Sequence, residues 1–264
     1  MSDGAAVLED LRAEGEELDR LVGAAAPSAW VRETPAPGWT LAHQIAHLAW
    51  TDERSLLAVR DEARFATEVE AAMAAPDTFV DDGAREGAKK EPEALLAHWR
   101  TVRTALAEEL AAQPEGRRVP WYGPPMSIPG MATARLMETW AHGGDIADAL
   151  GVVREPTARL RHIVRLGVRT RDFAYAVHGL TPPGEPFRVE MTAPDGDRWT
   201  YGPEDAAQRV TGSALDFCLL VTQRVHRDDT ALRAEGPDAD AWLGIAQAFA
   251  GPPGGGRKCK GASA

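Results

Sequence analysis

Glu138-Thr139-Trp140-Ala141-His142-Gly143-Gly144-Asp145 is the stretch on which the fold reading turns. Glu138 and His142 stand four residues apart, so in a helix both project from one face, one turn from each other. A carboxylate and an imidazole so placed supply two corners of a divalent-metal site. A third is offered by Gly38-Trp39-Thr40-Leu41-Ala42-His43-Gln44-Ile45-Ala46-His47-Leu48-Ala49-Trp50, in which His43 and His47 repeat the spacing. Either pair alone fits a solvated helix face or a hydrogen-bonded core contact equally well. The settings favour a metal. His47 lies among Ile45, Leu48 and Trp50, and Glu138 among Leu136, Met137 and Trp140; a buried carboxylate there needs a counter-charge or an ion. Two His and one Glu leave an ion with open positions, the pattern of catalytic rather than structural sites. The donor set suits Zn²⁺, and also Fe²⁺ or Ni²⁺.

Outward from these motifs the N-terminal part reads as four helices. Val7, Leu8, Leu11, Leu18, Leu21 and Val22 give residues 5–24 a helical stripe. Thr40 caps a second helix that reaches about residue 63. Residues 74–91, with Pro76, Asp81, Asp82 and Gly83, read as a loop with at most a short helix. Pro92 opens a third helix striped by Leu95, Leu96, Trp99, Val102, Leu106 and Leu110. The Pro- and Gly-rich loop 117–130 carries Trp121, Tyr122 and Met126, side chains suited either to a pocket wall or to a plug for the bundle end. The metal helix follows from about Met131 to Leu150. Facing helices of a bundle are a common place to build a metal site.

Beyond a linker at Gly151–Pro156 the pattern changes. A fifth helix spans 157–177. Phe187–Thr192 alternates as a strand, Pro194–Asp197 turns, and Arg198–Tyr201 returns. Gln208–Thr211 and Leu232–Glu235 read as further strands, with helices at 214–225 and 239–249. The expected organisation is therefore α+β: a bundle over residues 1–153, a smaller α/β domain over 154–250, and a disordered tail over 251–264.

The chain has 264 residues and a net charge of −11, which argues against a nucleic-acid backbone or an anionic membrane as the main partner. No basic region followed by an apolar run opens the sequence, and no apolar stretch is long enough to span a bilayer. Cys218 and Cys259 suggest no disulfide framework. A cytoplasmic protein is the expectation. No nucleophile elbow, phosphate-binding loop, dinucleotide fingerprint or paired-cysteine motif is present.

Other candidates are weaker in kind. His43 could ligate, or orient a ligand from behind it. Asp145, three residues past His142, could do the same or simply be a polar residue late in the helix. Asp52 and Glu53 could serve as bases, although a solvated helix face explains them as well. Arg209 and Arg224 could bind an anionic group, with surface arginines as the plainer reading. His98, His162, His178 and His226 read as surface residues and Cys218 as core.

The two motifs together, Trp39-Thr-Leu-Ala-His-Gln-Ile-Ala-His47-Leu and Glu138-Thr-Trp-Ala-His142-Gly-Gly-Asp145, resemble those of the DinB-like, mycothiol-dependent maleylpyruvate isomerase family of actinobacteria. The resemblance covers most of the chain. It implies a DinB-like four-helix bundle followed by a sterol-carrier-like α/β domain, consistent with the run Arg209-Val-Thr-Gly-Ser-Ala-Leu-Asp-Phe. It implies His47, Glu138 and His142 as ligands of a divalent metal, usually zinc, and mycothiol as cosubstrate. His43 stands where the family more often has Asp. The implied chemistry is attack by a metal-held thiolate on a small electrophile, ending in transfer or in cis–trans isomerisation. On this reading Trp121, Tyr122, Met126 and Arg224 line the cosubstrate site, and His43, Glu53 and Asp145 are candidate catalytic groups. The expected partners are a small substrate, a small thiol and a second copy of the chain. Two other readings stand beside it: a metal enzyme using bound water, with His43 or Glu53 as base, and a non-catalytic metal- or ligand-binding protein.

Overall fold

The computed structural model describes residues 3–76 and 78–261 and divides into two compact units, 1–154 and 155–264. The first unit is helical. α1 (Asp3–Gly23), α2 (Leu41–Arg60), α5 (Pro92–Ala111) and α6 (Ile128–Leu150) form the bundle. α1 packs on α6 and α5, and α2 packs on α5 and α6. Leu18, Val22, Trp30, Leu41, Ile45, Leu48, Leu95, Trp99 and Ile146 make a continuous apolar core. Burial of such side chains away from water supplies the main driving force for the unit.

Three local features differ from the reading of the bare sequence. The second helix stops at Arg60, because Asp61 leaves helical dihedrals and its carboxylate accepts from Arg64 N at 3.0 Å, capping α3 (Glu62–Ala74). The expected loop 74–91 holds α4 (Phe79–Gly87), which packs against α2. Its Gly83 faces the Trp50 ring so closely that a Cβ would lie 2.7 Å from it. Finally, α6 begins at Ile128 rather than near 131. Ser127 Oγ accepts from Gly130 N at 3.1 Å and Pro129 occupies the first turn, where its missing N–H costs nothing. Two short strands, β1 (Arg118–Val119) and β2 (Met126–Ser127), pair antiparallel just before it. Gly151, in the left-handed conformation at φ 70°, closes α6.

The second unit holds a four-stranded sheet ordered β4-β3-β5-β6, with β3 (Phe187–Thr192), β4 (Arg198–Tyr201), β5 (Gln208–Ser213) and β6 (Arg233–Glu235). β3 and β5 run parallel and the outer pairs antiparallel. Phe187, Val189 and Met191 alternate into the core, as a half-buried strand requires. α9 (Ala214–Val221), capped by Ser213, packs on β3 and β5. The expected single helix 157–177 is two, α7 (Leu160–Arg169) and α8 (Arg171–Val177), broken at Thr170, whose hydroxyl donates to Gln247 O at 2.7 Å. α10 (Pro237–Leu243) is shorter than expected; Gln208 Oε1 accepts from Asp238 N and Ala239 N at its start, both at 3.0 Å.

The segment expected to be disordered has no regular element over residues 252–259, yet it returns to the body of the unit. Lys260 N donates to Asp229 Oδ2 at 2.9 Å, and the Cys259 thiol donates to Asp229 Oδ1 at 3.5 Å. Residues 262–264 of that tail lie outside the described residues. No helix among the described residues is long and apolar enough to cross a membrane.

Candidate metal centre

α2 and α6 meet through polar residues buried in an apolar bundle. Gln44 faces His142, His47 faces both Glu138 and His142, and Asp52 faces Arg135. The pairs advance along α2 while retreating along α6, so the helices run antiparallel. Within each helix these side chains recur three, four or five residues apart, which keeps them on one inward stripe.

At the middle of the stripe two imidazoles converge on one carboxylate oxygen. His47 Nε2 lies 3.3 Å and His142 Nε2 3.1 Å from Glu138 Oε2, and the two rings are 4.5 Å apart between centroids. His47, Glu138 and His142 are the group in unit 1 whose donor atoms all lie within 4.8 Å of one another, among the described residues. Burial pushes the Glu138 carboxyl up, but hydrogen bonds and charge from His142 and His47 outweigh it and hold the group well below the usual carboxylate range.

A chain of hydrogen bonds behind His142 fixes its tautomer. The Thr34 hydroxyl donates to Trp39 O at 2.8 Å and so accepts from Gln44 Nε2, also at 2.8 Å. That orients the amide with Gln44 Oε1 toward His142 Nδ1, 2.5 Å away. Nδ1 therefore carries the proton. His142 Nε2 then presents a lone pair to a carboxylate oxygen unless a cation, either a second proton or a metal ion, lies there. His47, whose Nδ1 is buried with no hydrogen-bond partner among the described residues, can instead carry its proton on Nε2 and donate to the same oxygen.

Trp39 roofs the group. Its ring stacks on His142 at 5.9 Å and tilts over His47 at 5.3 Å, while its Nε1 donates to Asp81 Oδ1 on α4 at 3.2 Å. Trp50 lies on the other side of His47, 6.5 Å between centroids. From it a run of aromatic rings continues through Phe79, Tyr122, Phe65 and Trp121, with neighbouring centroids 5.0 to 5.7 Å apart. Trp121 and Tyr122 thus lie in the aromatic layer that begins beside His47. Burial raises the Tyr122 hydroxyl to about 12, so it stays protonated.

The remaining candidates fall elsewhere. His43 caps its own helix: Nδ1 accepts from Thr40 N at 3.2 Å and lies 2.8 Å from Thr40 Oγ1. It is not one of the three converging donors. Burial and Arg85 lower its basicity, with Asp81 opposing. Glu53 pairs with His98 at 3.0 Å and Arg54 at 3.7 Å, and both Glu53 and His98 are about a third exposed, at the surface. Asp145 is 1% exposed and belongs to the interior of α6. Met126 sits in the β1–β2 ribbon. Arg224 lies in the second unit, donating to Thr222 O at 2.6 Å, and Arg209 pairs with Glu190 at 2.5 Å. Asp52, read as solvated, is 4% exposed and accepts from Arg135 Nε at 2.8 Å. Burial raises its carboxyl above the usual range despite that guanidinium.

A family model described as mycothiol maleylpyruvate isomerase N-terminal domain matches residues 11–147, just over half of the chain. The chain belongs to that family. A second model, described as wyosine base formation, matches residues 183–235, the stretch that holds β3 to β6 and α9. Two relatives from Mycobacterium tuberculosis, one from strain H37Rv and one from strain CDC 1551, are both described as uncharacterized proteins. Each is 60% identical over 257 residues, covering 97% of this chain and 100% of the relative. Among solved structures, a mycothiol-dependent maleylpyruvate isomerase and a histidine-to-alanine mutant of it each match with a TM-score of 0.59 at 18% identity. They cover 89% of this chain and 95% of theirs, so the family fold extends through both units.

Proposed function

We propose that this chain is a cytoplasmic, divalent-metal-dependent enzyme that activates a low-molecular-weight thiol, mycothiol by family, for isomerisation of, or transfer to, a small electrophile. The reading rests on one observation above all: His47 and His142 direct nitrogens at the same oxygen of Glu138, with the His142 tautomer set by Gln44. Protons alone fill this arrangement poorly. A proton in place of an ion requires a His142 imidazolium in a largely buried site, since its Nδ1 proton faces Gln44 and its Nε2 must donate as well, whereas His47 can donate from Nε2 without further charge. One divalent ion satisfies all three donors, and the imidazole–imidazole–carboxylate set suits Zn²⁺.

An ion held there lowers the pKa of a coordinated thiol and keeps it ionised near neutral pH. The chain's own residues supply the rest. Gln44 keeps the His142 proton on the nitrogen facing away from the ion, and Trp39 shields the two rings from water. Trp50 and the Phe79–Tyr122 layer give the approach an apolar side. The Tyr122 hydroxyl, protonated throughout the physiological range, acts only as a hydrogen-bond donor. The thiolate adds to one carbon of an activated double bond, whose π pair moves onto the conjugated carbonyl; the adduct then takes a proton from solvent and keeps the thioether, giving transfer, or rotates about the former double bond and expels the thiolate as the double bond re-forms, giving isomerisation.

Chemistry through activated water would require a free general base. Its two candidates, His43 and Glu53, are engaged by Thr40 and His98 respectively, which favours the thiol. The test is metal analysis of the purified protein and of His47→Ala, with calorimetric titration of each by mycothiol. Stoichiometric metal in the parent, its loss in the variant and metal-dependent thiol binding are expected. Metal without thiol binding would overturn the thiol reading, and a reconstituted parent without metal would overturn both.

A further inference from the structure

The second unit holds another convergence of donors. His226, Asp228 and Cys259 each place a ligand atom within 4.8 Å of the others. They come from two segments far apart in sequence. His226 and Asp228 flank the start of a short 3₁₀ turn (Arg227–Asp229) after α9; Cys259 comes from the Gly- and Pro-rich C-terminal stretch. His226 Nδ1 lies 3.6 Å from Asp228 Oδ2, and the Cys259 thiol donates to Asp229 Oδ1 at 3.5 Å. We propose that this cluster is a second metal site, taking a thiolate-tolerant divalent ion such as Zn²⁺, that clasps the C-terminal segment to the turn.

The stretch Gly251-Pro-Pro-Gly-Gly-Gly256 has little apolar surface to bury, and its glycines lose much conformational freedom when ordered. Polar contacts along the segment include Gln247 Nε2 donating to Gly251 O at 3.0 Å and the Cys259 thiol and Lys260 N donating to the Asp229 carboxylate. A chelated ion adds to them, because metal binding at a site absent from the unordered chain is itself folding free energy.

The donor chemistry agrees. Imidazole, carboxylate and thiol together match Zn²⁺ better than a hard cation, which takes oxygen alone. His226 Nδ1 accepts from Asp228 N at 3.2 Å, so an ion taken by that nitrogen displaces this bond, beside the Asp228 carboxylate 3.6 Å away. Asp229, already against the sulfur, is placed to complete the shell. On coordination the thiol proton passes to solvent and the sulfur binds as thiolate. The two neighbouring carboxylates, which would repel a bare thiolate, then share its counter-ion. His226 and Asp228 side chains are 40% and 74% exposed, so an ion enters directly from solvent.

The two centres differ in one measurable respect: the site on α2 and α6 contains no sulfur. Cobalt titration of the chelator-stripped full chain separates them, since thiolate-to-cobalt charge-transfer absorption reports a Cys ligand alone. The parent is expected to take two equivalents, one of them with that absorption. In His47→Ala with Glu138→Gln the absorption remains and one equivalent binds. In Cys259→Ser it is lost, and in His226→Ala the affinity of the absorbing site falls at least tenfold. Protease digestion of the parent near residue 255 should slow when zinc is added and not in Cys259→Ser. Three outcomes overturn the proposal: no charge-transfer absorption in the parent; absorption surviving Cys259→Ser, which would place it on Cys218; or absorption indifferent to both His226→Ala and Asp228→Ala.

Discussion

Replacing Gln44 by Leu removes no ligand and no charge, yet it should weaken the metal centre. Gln44 is fully buried, and its amide makes two bonds: Oε1 to His142 Nδ1 at 2.5 Å and Nε2 to Thr34 Oγ1 at 2.8 Å. In Gln44→Leu the His142 ring is free to carry its proton on either nitrogen, and the tautomer with Nε2–H cannot bind an ion. Loss of such an outer partner costs roughly 10- to 100-fold in metal affinity, about 1.4 to 2.8 kcal/mol. Gln44→Glu keeps an acceptor on Nδ1 and should bind within a few-fold of the parent or tighter. The assay is zinc competition against a chromophoric chelator at neutral pH. Thermal unfolding of the metal-free proteins runs beside it, because the Thr34 hydroxyl, which keeps Trp39 O but loses the Gln44 donor, adds about 1 kcal/mol of instability that has nothing to do with the ion. Equal affinity in Gln44→Leu and the parent would refute the tautomer argument, and with it the reason for reading the three residues as a metal site rather than a hydrogen-bonded cluster.

Other expectations follow from the same geometry. Asp52→Leu or Arg135→Met alone strands a buried charge and should cost about 3 to 5 kcal/mol, whereas the double variant should recover most of it; denaturant unfolding of the four proteins gives the cycle. Gly83→Ala drives a Cβ to 2.7 Å from the Trp50 ring and should lower stability by about 1 to 3 kcal/mol, read as a fall in Tm with no change in helix content. Asp19 is pushed up by burial, but its hydrogen bonds from Arg100 and Arg103 outweigh that and hold it below its ordinary 3.8. The sign follows: its stabilisation is present above 3.8 and is lost as pH falls below it toward the folded value. Asp19→Asn should therefore cost roughly 1 to 2 kcal/mol at pH 7, and the gap between variant and parent in urea midpoints should close on acidification. A gap that is constant with pH would point to packing instead.

The local rules in the chain were strong enough to fix most of its organisation. Apolar residues at helical spacing marked α1, α2, α5 and α6, and the alternation of Phe187, Val189 and Met191 marked β3. Where the reading failed, a side chain or a neighbouring helix decided. Asp61 turned one long helix into two by capping the second, and α4, poor in helix formers, is held by packing against α2. At the site, spacing nominated the pairs His43–His47 and Glu138–His142, because helical periodicity puts residues four apart on one face; the apolar neighbours of His47 and the family resemblance selected it over His43. Glu53 was a candidate only because it follows the first motif, and spacing could not say that His43 bonds back to Thr40 or that Glu53 turns to His98. Gln44 was legible in principle, three residues before His47 on the same stripe, but an amide's role depends on what its two ends meet. Asp52 looked solvated because its partner, Arg135, lies 83 residues away. Spacing along a helix is set by the backbone and can be read from sequence. Which side chain meets which across two helices depends on how those helices are brought together, and that only the tertiary structure decided.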